Sequence, residues 1–587
     1  MKIIPRLSLG GLIGLSLMGF MPTVSALQVT DEIAPQAADT LIEKSLFKAS
    51  DYMVASANPY ATQAGFEVLE AGGNAFDAAV AVQLTLGLVE PQSSGLGGGA
   101  FMVLWDAEDQ KLWAIDGRET APKAATPELF LDDKGEPLQF MDAVVGGRSV
   151  GTPGTPALLA AVHERFGSKP WAELFQSSIA LADKGFEVTD HMSQQIADSA
   201  ESLQRFEATR NYFFTEAGEP LPAGFLRKNP EYANTLRLLA EKGVAPFYFG
   251  EIGEDIVKTV QNAKDNPGVL AMDDLNSYKV ISRDTVCVPY RQFEVCGMGP
   301  PTSGGLTVGQ ILGMLNHYDL ATLGPDNPES WRLFGDASRL AFADRGRYIA
   351  DADFVDVPVK ELVNSHYLEQ RAQLLSGNQA LETVEPGDPV AGAAAKWADD
   401  AALELPSTSH FVIVDKKGNI VSMTTTIENG FGSRLMTRGF LLNNELTDFS
   451  FKPEKNGVPV ANRVEPGKRP RSSMSPSIVF KEGKPYMAVG SPGGARIIGY
   501  VAKTLVAHID WGMDMQQAIA LPHKFNGFGT YDLEENTSAV DMKDALEGMG
   551  YKTKVRNLNS GLHSIVITED GLEGGADPRR DGTVLGR

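Results

Sequence analysis

The spacing of apolar positions changes several times along the chain, and the changes mark its elements. Residues 27–50 carry no clear period and read as a weakly structured lead. Tyr52-Met53-Val54-Ala55 reads as a short strand. Asn58-Pro59 opens a helix, with Asn as cap and Pro in the first turn; Gly72-Gly73 ends it. Phe76 to Leu88 is almost wholly apolar, the pattern of a helix buried on all sides. Alternation at Phe101–Trp105 and Lys111–Asp116 predicts strands. Residues 156–265 are Ala/Leu-rich and mainly helical, 280–298 are β-prone, and Gly304-Gly305 opens a helical region to about residue 350. Residues 376–406 change character, with Glu385-Pro386-Gly387-Asp388-Pro389, an Ala/Gly run and Asp399-Asp400, the composition of an exposed tether. Strands return at 410–415 and 420–427 around a Lys416-Lys417-Gly418-Asn419 turn, then at 439–443, 477–480, 485–489 and 563–568. Helices fit 494–508 and 513–520.

A chain of 587 residues with 43% hydrophobic and 22% charged residues can bury a large core in one to several domains. Its net charge of −23 argues against nucleic acid and anionic membrane surfaces as partners, since both would repel it. Lys2 and Arg6, the apolar run Leu7–Phe20 and the small-x-small triplet Val24-Ser25-Ala26 read as a targeting segment over 1–26. The run is short and glycine-interrupted for a membrane anchor. Removal after Ala26 is therefore expected, leaving an exported, soluble chain.

Cys287 and Cys296 flank a hairpin turn. They fit a cross-strand disulfide of an exported protein, or two packed thiols. No His-Glu-x-x-His spacing occurs, and two cysteines are not a metal set. Gly95-Leu96-Gly97-Gly98-Gly99-Ala100 matches a dinucleotide fingerprint, but a helix precedes it and a strand follows, the reverse of the required context. A tight backbone passage fits better. Gly147-Arg148-Ser149-Val150-Gly151 matches a nucleophile elbow, yet the helix begins only near Pro156, so Ser149 fits a glycine-rich turn better than a serine nucleophile.

The most informative stretch is Pro406-Ser407-Thr408-Ser409-His410, where the tether meets an apolar strand. A threonine hydroxyl is a poor nucleophile unless a base sits beside it. A free α-amino group on the same residue, with a pKa of about 7.7–8.0, can be that base. This chemistry requires a chain break before Thr408, at a place where a self-cut is sterically feasible. Thr424-Thr425-Thr426 lies on the paired strand, followed by Glu428. Asn443-Asn444-Glu445-Leu446-Thr447-Asp448 adds acids, Arg471-Ser472-Ser473-Met474-Ser475 adds donors, and Ser491-Pro492-Gly493-Gly494 precedes a helix whose N–H groups suit an oxyanion. Acids, Arg and Ser together fit a zwitterionic amino-acid head.

On these residues the chain resembles the γ-glutamyltransferase family of the N-terminal-nucleophile hydrolases. The matches run from Met53 to the C-terminus. They include Gly72–Ala79, Gly117-Arg118-Glu119, Thr408-Ser409-His410, Leu442–Glu445, Asp448-Phe449-Ser450, Lys468-Arg469-Pro470, Ser472–Pro476 and Gly490–Gly494. The resemblance implies an α/β (α+β) fold, a four-layer α/β/β/α sandwich. It implies a precursor that cuts itself between Ser407 and Thr408 into a large subunit (27–407) and a small catalytic one (408–587). Thr408 would attack the γ-glutamyl amide of glutathione or a related compound. Thr426 would support it, and Gly493 and Gly494 would hold the oxyanion. Arg118, Ser472 and Ser473 would take the α-carboxylate; Glu428, Glu445 and Asp448 would face the ammonium. The acyl group would pass to water or to an amino-acid or peptide acceptor, with no metal or organic cofactor implied. Glu428 stands where well-known members carry Asn, and an added negative charge there is expected to disfavour glutaryl groups, the substrates of cephalosporin acylases of the same fold. Phe451–Gly467 is short and lacks tyrosine, so an open site is expected.

Overall fold

The computed structural model describes residues 41–392, 396–400, 402, 404, 405 and 407–587. The targeting segment expected at 1–26 lies outside these residues. Fourteen strands build two facing sheets: β1 (Phe47–Ala49), β2 (Met53–Ser56), β3 (Gly99–Asp106), β4 (Lys111–Gly117), β5 (Ile281–Arg283), β6 (Thr285–Tyr290), β7 (Phe293–Met298), β8 (Ser409–Val414), β9 (Ile420–Thr426), β10 (Ser477–Lys481), β11 (Lys484–Gly490), β12 (His563–Thr568), β13 (Gly571–Ala576) and β14 (Thr583–Gly586). One sheet runs β1-β13-β12-β11-β10-β7-β6 and the other β14-β2-β8-β9-β3-β4-β5. Helices α1 (Pro59–Glu70) and α2 (Ala75–Val89) cover the outer face of the second sheet. Helices α3 (Gly304–Leu315) and α5 (Ile497–Ile509) cover the first, and α4 (Pro328–Tyr348) packs behind α3. The result is the expected four-layer α/β/β/α sandwich.

Burial explains the pattern of the central elements. Every residue of α2 is buried, and its N-terminus is closed by a capping box between Asn74 and Asp77. Strands β8 and β9 are buried at every position, because α2 covers one face and the opposing sheet the other. Their hairpin is set by Asp415, whose Oδ1 accepts from the backbone N–H groups of Lys417 (2.8 Å) and Asn419 (3.0 Å). That turn fixes the register Ser409↔Thr425 through Val414↔Ile420. Residue 408 is thereby brought beside residue 426.

Three local expectations change. The lead is not structureless throughout: β1 pairs with β13. The strand expected at 439–443 shrinks to Phe440–Leu441. The tether is exposed or half-buried over 376–392 but turns inward further on. Ala398 N–H donates to the Pro459 carbonyl, Asp400 pairs with Arg471 at 2.7 Å, and Glu404 is enclosed by two arginines. Buried cations, which a composition-based reading does not see, draw the segment in. Cys287 and Cys296 face each other across β6 and β7 and form a disulfide, so the packed-thiol alternative does not hold.

Candidate active site

The chain enters β8 through Thr408, and β9 ends on Thr426. Thr426 Oγ1 donates to the Ser407 carbonyl oxygen at 3.0 Å. The backbone N–H of Glu428 donates to Thr426 Oγ1 at 2.8 Å, which aims the Thr426 proton at that carbonyl. Thr408 Oγ1 lies within hydrogen-bonding reach of the same carbonyl oxygen and 3.3 Å from Thr426 Oγ1. One hydroxyl proton cannot serve both acceptors. With it on Thr426, a lone pair of Thr408 is left beside the carbonyl of the preceding peptide bond. The flanking backbone is pinned as well: Ser407 Oγ donates to the Gln92 carbonyl at 2.8 Å, and Arg580 Nη1 donates to the Thr408 carbonyl at 3.0 Å.

A cavity opens on Thr408. It is lined by Thr426, Arg118, Glu428, Glu445, Asp448, Ser472, Ser473 and Gly494, which brings together nearly all the site residues expected from sequence. Gly493 stands one residue behind the lining. Both glycines have positive φ, 136° and 58°, at the entry to α5, where a side chain would be strained. A Cβ on Gly494 would also press on the backbone of Glu404 and Leu405. The Ser491-Pro492-Gly493-Gly494 loop therefore lies against the segment that precedes the cut.

The polar groups pair differently from the expectation. Arg118 is ion-paired with Glu445 and, at 2.6 Å, with Asp448, so it is engaged by two acids assigned to an ammonium. Burial opposes its charge, but Glu445, Asp448 and Glu119 outweigh burial and hold its pKa above the usual guanidinium value. Burial pushes Glu445 and Asp448 up; for Asp448 the nearby acids add to burial while Arg118 resists. Glu428 is pushed up to about 8, first by burial and then by Glu445. Its Oε2 accepts from Asn444 Nδ2 and its Oε1 from the Leu405 N–H at 3.3 Å. Burial and the neighbouring Glu445 therefore work against the full negative charge expected at Glu428.

The remaining expectations fare differently. In the uncut chain the cavity measures about 20 Å³, room for roughly one water; the open site expected from Phe451–Gly467 belongs to the cut enzyme. Glu404 and Leu405 form part of the cavity wall. Ser149 is fully buried, donates to the Val144 carbonyl at 2.7 Å and does not line the cavity, which removes the serine-nucleophile alternative. The Gly95–Ala100 run is a tight passage into β3; a Cβ on Gly98 would collide with the Thr426 carbonyl, and one on Gly97 with that of Leu441.

Two participants were not legible in the sequence. Glu404 donates nothing to any motif, and Arg345 sits in the last turn of α4, an ordinary place for a basic residue. In the structure Glu404 is ion-paired with Arg345, accepts from Ser473 Oγ and lies 3.4 Å from Arg471. Proximity to the cut was the only available signal for Glu404.

Comparison with known proteins agrees with this geometry. The gamma-glutamyltranspeptidase family profile matches residues 61–587. A glutathione hydrolase proenzyme of Bacillus subtilis (strain 168) is 37% identical over 552 residues, 91% of each chain. The glutathione hydrolase proenzyme of Escherichia coli (strain K12) is 36% identical over 556 residues, 92% of each chain. Among solved structures, the cephalosporin acylase from Bacillus halodurans superposes with a TM-score of 0.81 at 27% identity, over 94% of this chain and 99% of that one.

Proposed function

Because the chain belongs to the gamma-glutamyltranspeptidase family, we propose that it is a self-processing glutathione hydrolase and γ-glutamyltransferase. The observation that carries the reading is the scissile geometry. A carbonyl polarised by the Thr426 hydroxyl lies beside the Thr408 hydroxyl, at the mouth of a cavity lined with acids, Arg and Ser.

In the first reaction Thr408 Oγ1 attacks the Ser407 carbonyl carbon. The peptide C–N bond breaks, the nitrogen takes the hydroxyl proton, and an ester joins Ser407 to Thr408 Oγ1. The Thr408 α-amine is now free, and water hydrolyses the ester to release the Ser407 carboxylate and return the Thr408 hydroxyl. Residues 27–407 and 408–587 remain together as large and small subunits. In turnover the α-amine accepts the Thr408 hydroxyl proton as Oγ1 attacks a γ-glutamyl amide carbonyl. The N–H groups of Gly493 and Gly494 stabilise the oxyanion. The leaving amine takes the proton, and a γ-glutamyl ester remains on Thr408. Water or the amine of an amino acid or peptide attacks that ester and restores the enzyme. Ser472 and Ser473, with Arg118, receive the α-carboxylate; Asp448, Glu445 and Glu428 receive the ammonium. The N-terminal segment directs export, and no helix among the described residues is long and apolar enough to cross a membrane.

Intact mass spectrometry of the purified protein beside Thr408→Ala tests the reading. Two chains are expected in the wild type, the lighter beginning at Thr408, and one uncut, inactive chain in the variant. An uncut wild type with full amidase activity would overturn the mechanism.

The acylase likeness supports a second reading, cleavage of glutaryl amides. Glu445 and Asp448, which both pair with Arg118, argue against it, because a glutaryl group brings no ammonium to offset the second acid. Rates on γ-glutamyl and glutaryl anilides decide. At least a tenfold preference for γ-glutamyl is expected; equal or faster glutaryl cleavage would make the chain an acylase.

A further inference from the structure

The pre-cleavage segment places a carboxylate inside the site, and its partners stay with the fold when that segment leaves. Arg345 Nε donates to Ser303 Oγ at 2.8 Å, and Ser303 Oγ donates to the Ser472 carbonyl at 2.7 Å. Arg345 Nη2 donates to Ser473 Oγ at 2.8 Å. The guanidinium is therefore set by α4, by the start of α3 and by the Ser472-Ser473 loop, independently of Glu404. Arg471 is set by its own backbone N–H on Asn462 Oδ1 at 2.9 Å and by Asp400 at 2.7 Å, a tether residue held independently of Glu404 by Asn462 Nδ2 at 2.9 Å and by its N–H on the Gly346 carbonyl at 3.0 Å. Two buried cations thus face two carboxylates, Asp400 and Glu404. Burial and the neighbouring Arg471 both push the Arg345 pKa down, the mark of a crowded cation that needs an anion. Arg345 and Arg471 hold Glu404 ionised against burial.

The Glu404 carboxylate also accepts from Ser473 Oγ, the donor expected to bind substrate. A carboxylate on a serine and two guanidiniums is the arrangement a substrate carboxylate would adopt. The remaining space holds about one water, so substrate and Glu404 exclude each other. We propose that Arg345 and Arg471, with Ser473, form a carboxylate-binding subsite of the mature enzyme, which Glu404 fills until the cut. Retreat of Glu404 leaves one uncompensated positive charge there, and a substrate carboxylate replaces it. The inference rests on the reading that the chain cuts itself and turns over γ-glutamyl compounds. The carboxylate comes either from the γ-glutamyl head or from the far end of the leaving peptide.

Two measurements test it. In the uncut Thr408→Ala protein, calorimetry with L-glutamine should show binding at least tenfold tighter once Glu404→Ala is added. Adding Arg471→Gln or Arg345→Gln should abolish the gain, and L-glutaminamide, which lacks the carboxylate, should show none. In the cut enzyme, Arg471→Gln should raise KM for a γ-glutamyl anilide at least tenfold with kcat nearly unchanged, and leave 4-aminobutyryl anilide unaffected. An effect confined to glutathione, whose glycine carries a second carboxylate, would assign the subsite to the leaving peptide. Absence of any gain on opening with Glu404→Ala for L-glutamine and glutathione alike, or equal effects with and without a carboxylate, would overturn the subsite. Failure of the cut wild type to turn over any γ-glutamyl substrate would instead overturn the underlying function; the binding measurement stands apart from it.

Discussion

At the scale of single residues, Glu428 controls how the site responds to pH. Its folded pKa, about 8, lies above the usual 4.5 because burial and Glu445 both disfavour its charge. A raised carboxyl pKa means that the folded chain holds a proton which the unfolded chain has released. The stability from the neutral group is fully present below about pH 4.5 and is lost as pH rises towards 8. The Thr408→Ala chain should therefore lose thermal stability from pH 6 to pH 8. Adding Glu428→Gln should flatten that decline, since the amide cannot ionise. Glu90, pushed to about 7 chiefly by burial, contributes a decline of its own in both proteins, so the difference between the two curves is the quantity to measure. An identical slope in both would show Glu428 to be solvated or already ionised. The acids, serines and threonines of the site were legible because each stands in a short motif with its own chemistry. Glu404 and Arg345 were not, because a pairing across 59 positions leaves no local period, and a Pro/Gly/Asp-rich segment reads as solvated.

At the scale of elements, the hairpin β8–β9 and the glycine passage before β3 act as one device. Register aligns Thr408 with Thr426, and Gly98 lets the chain pass against the Thr426 carbonyl with no side chain between them. Gly98→Ala should displace the end of β9, moving the Thr426 hydroxyl off the Ser407 carbonyl. The expected stability cost is that of overpacking, about 1–3 kcal/mol. The expected chemical cost is larger: self-cleavage slowed at least tenfold, followed as the appearance of the small chain on a denaturing gel. Cleavage at the wild-type rate would show that the strand end absorbs the methyl without moving Thr426. Strands β8 and β9 were legible from alternation and a clear turn, whereas β13 and β14 were not. β13 reads Gly-Leu-Glu-Gly-Gly-Ala, a poor strand former in isolation. It forms because β12 and β1 supply partners on both sides. Tertiary pairing, absent from any local window, overrides its weak propensity.

At the scale of the whole molecule, the position of the cut decides what becomes of the two pieces. The segment after Thr408 contributes strands to both of the large sheets. In one sheet, β13 pairs with β1 and β10 with β7, across the division at 407/408. In the other, β14 and β8 both flank β2, and β9 pairs with β3, so three more pairings cross it. Pulling the pieces apart would break ladder hydrogen bonds in both sheets. It would also expose β8 and β9, which are buried at every position. Such interdigitated pieces share one core and behave as one cooperative body, unlike domains joined by a linker. The two chains should therefore co-migrate in gel filtration after complete cleavage, at low and high salt alike, and separate only under denaturant. Salt is the informative variable: ion pairs at a surface interface weaken with ionic strength, whereas shared sheets and buried apolar area do not. Residues 408–587 expressed alone should be insoluble or unfolded, because β8 and β9 then lack both β2 and β3. A soluble, cooperatively melting 408–587 fragment would mean that the small chain is a domain of its own and that the cut only frees Thr408, leaving the partition of both sheets without consequence for stability.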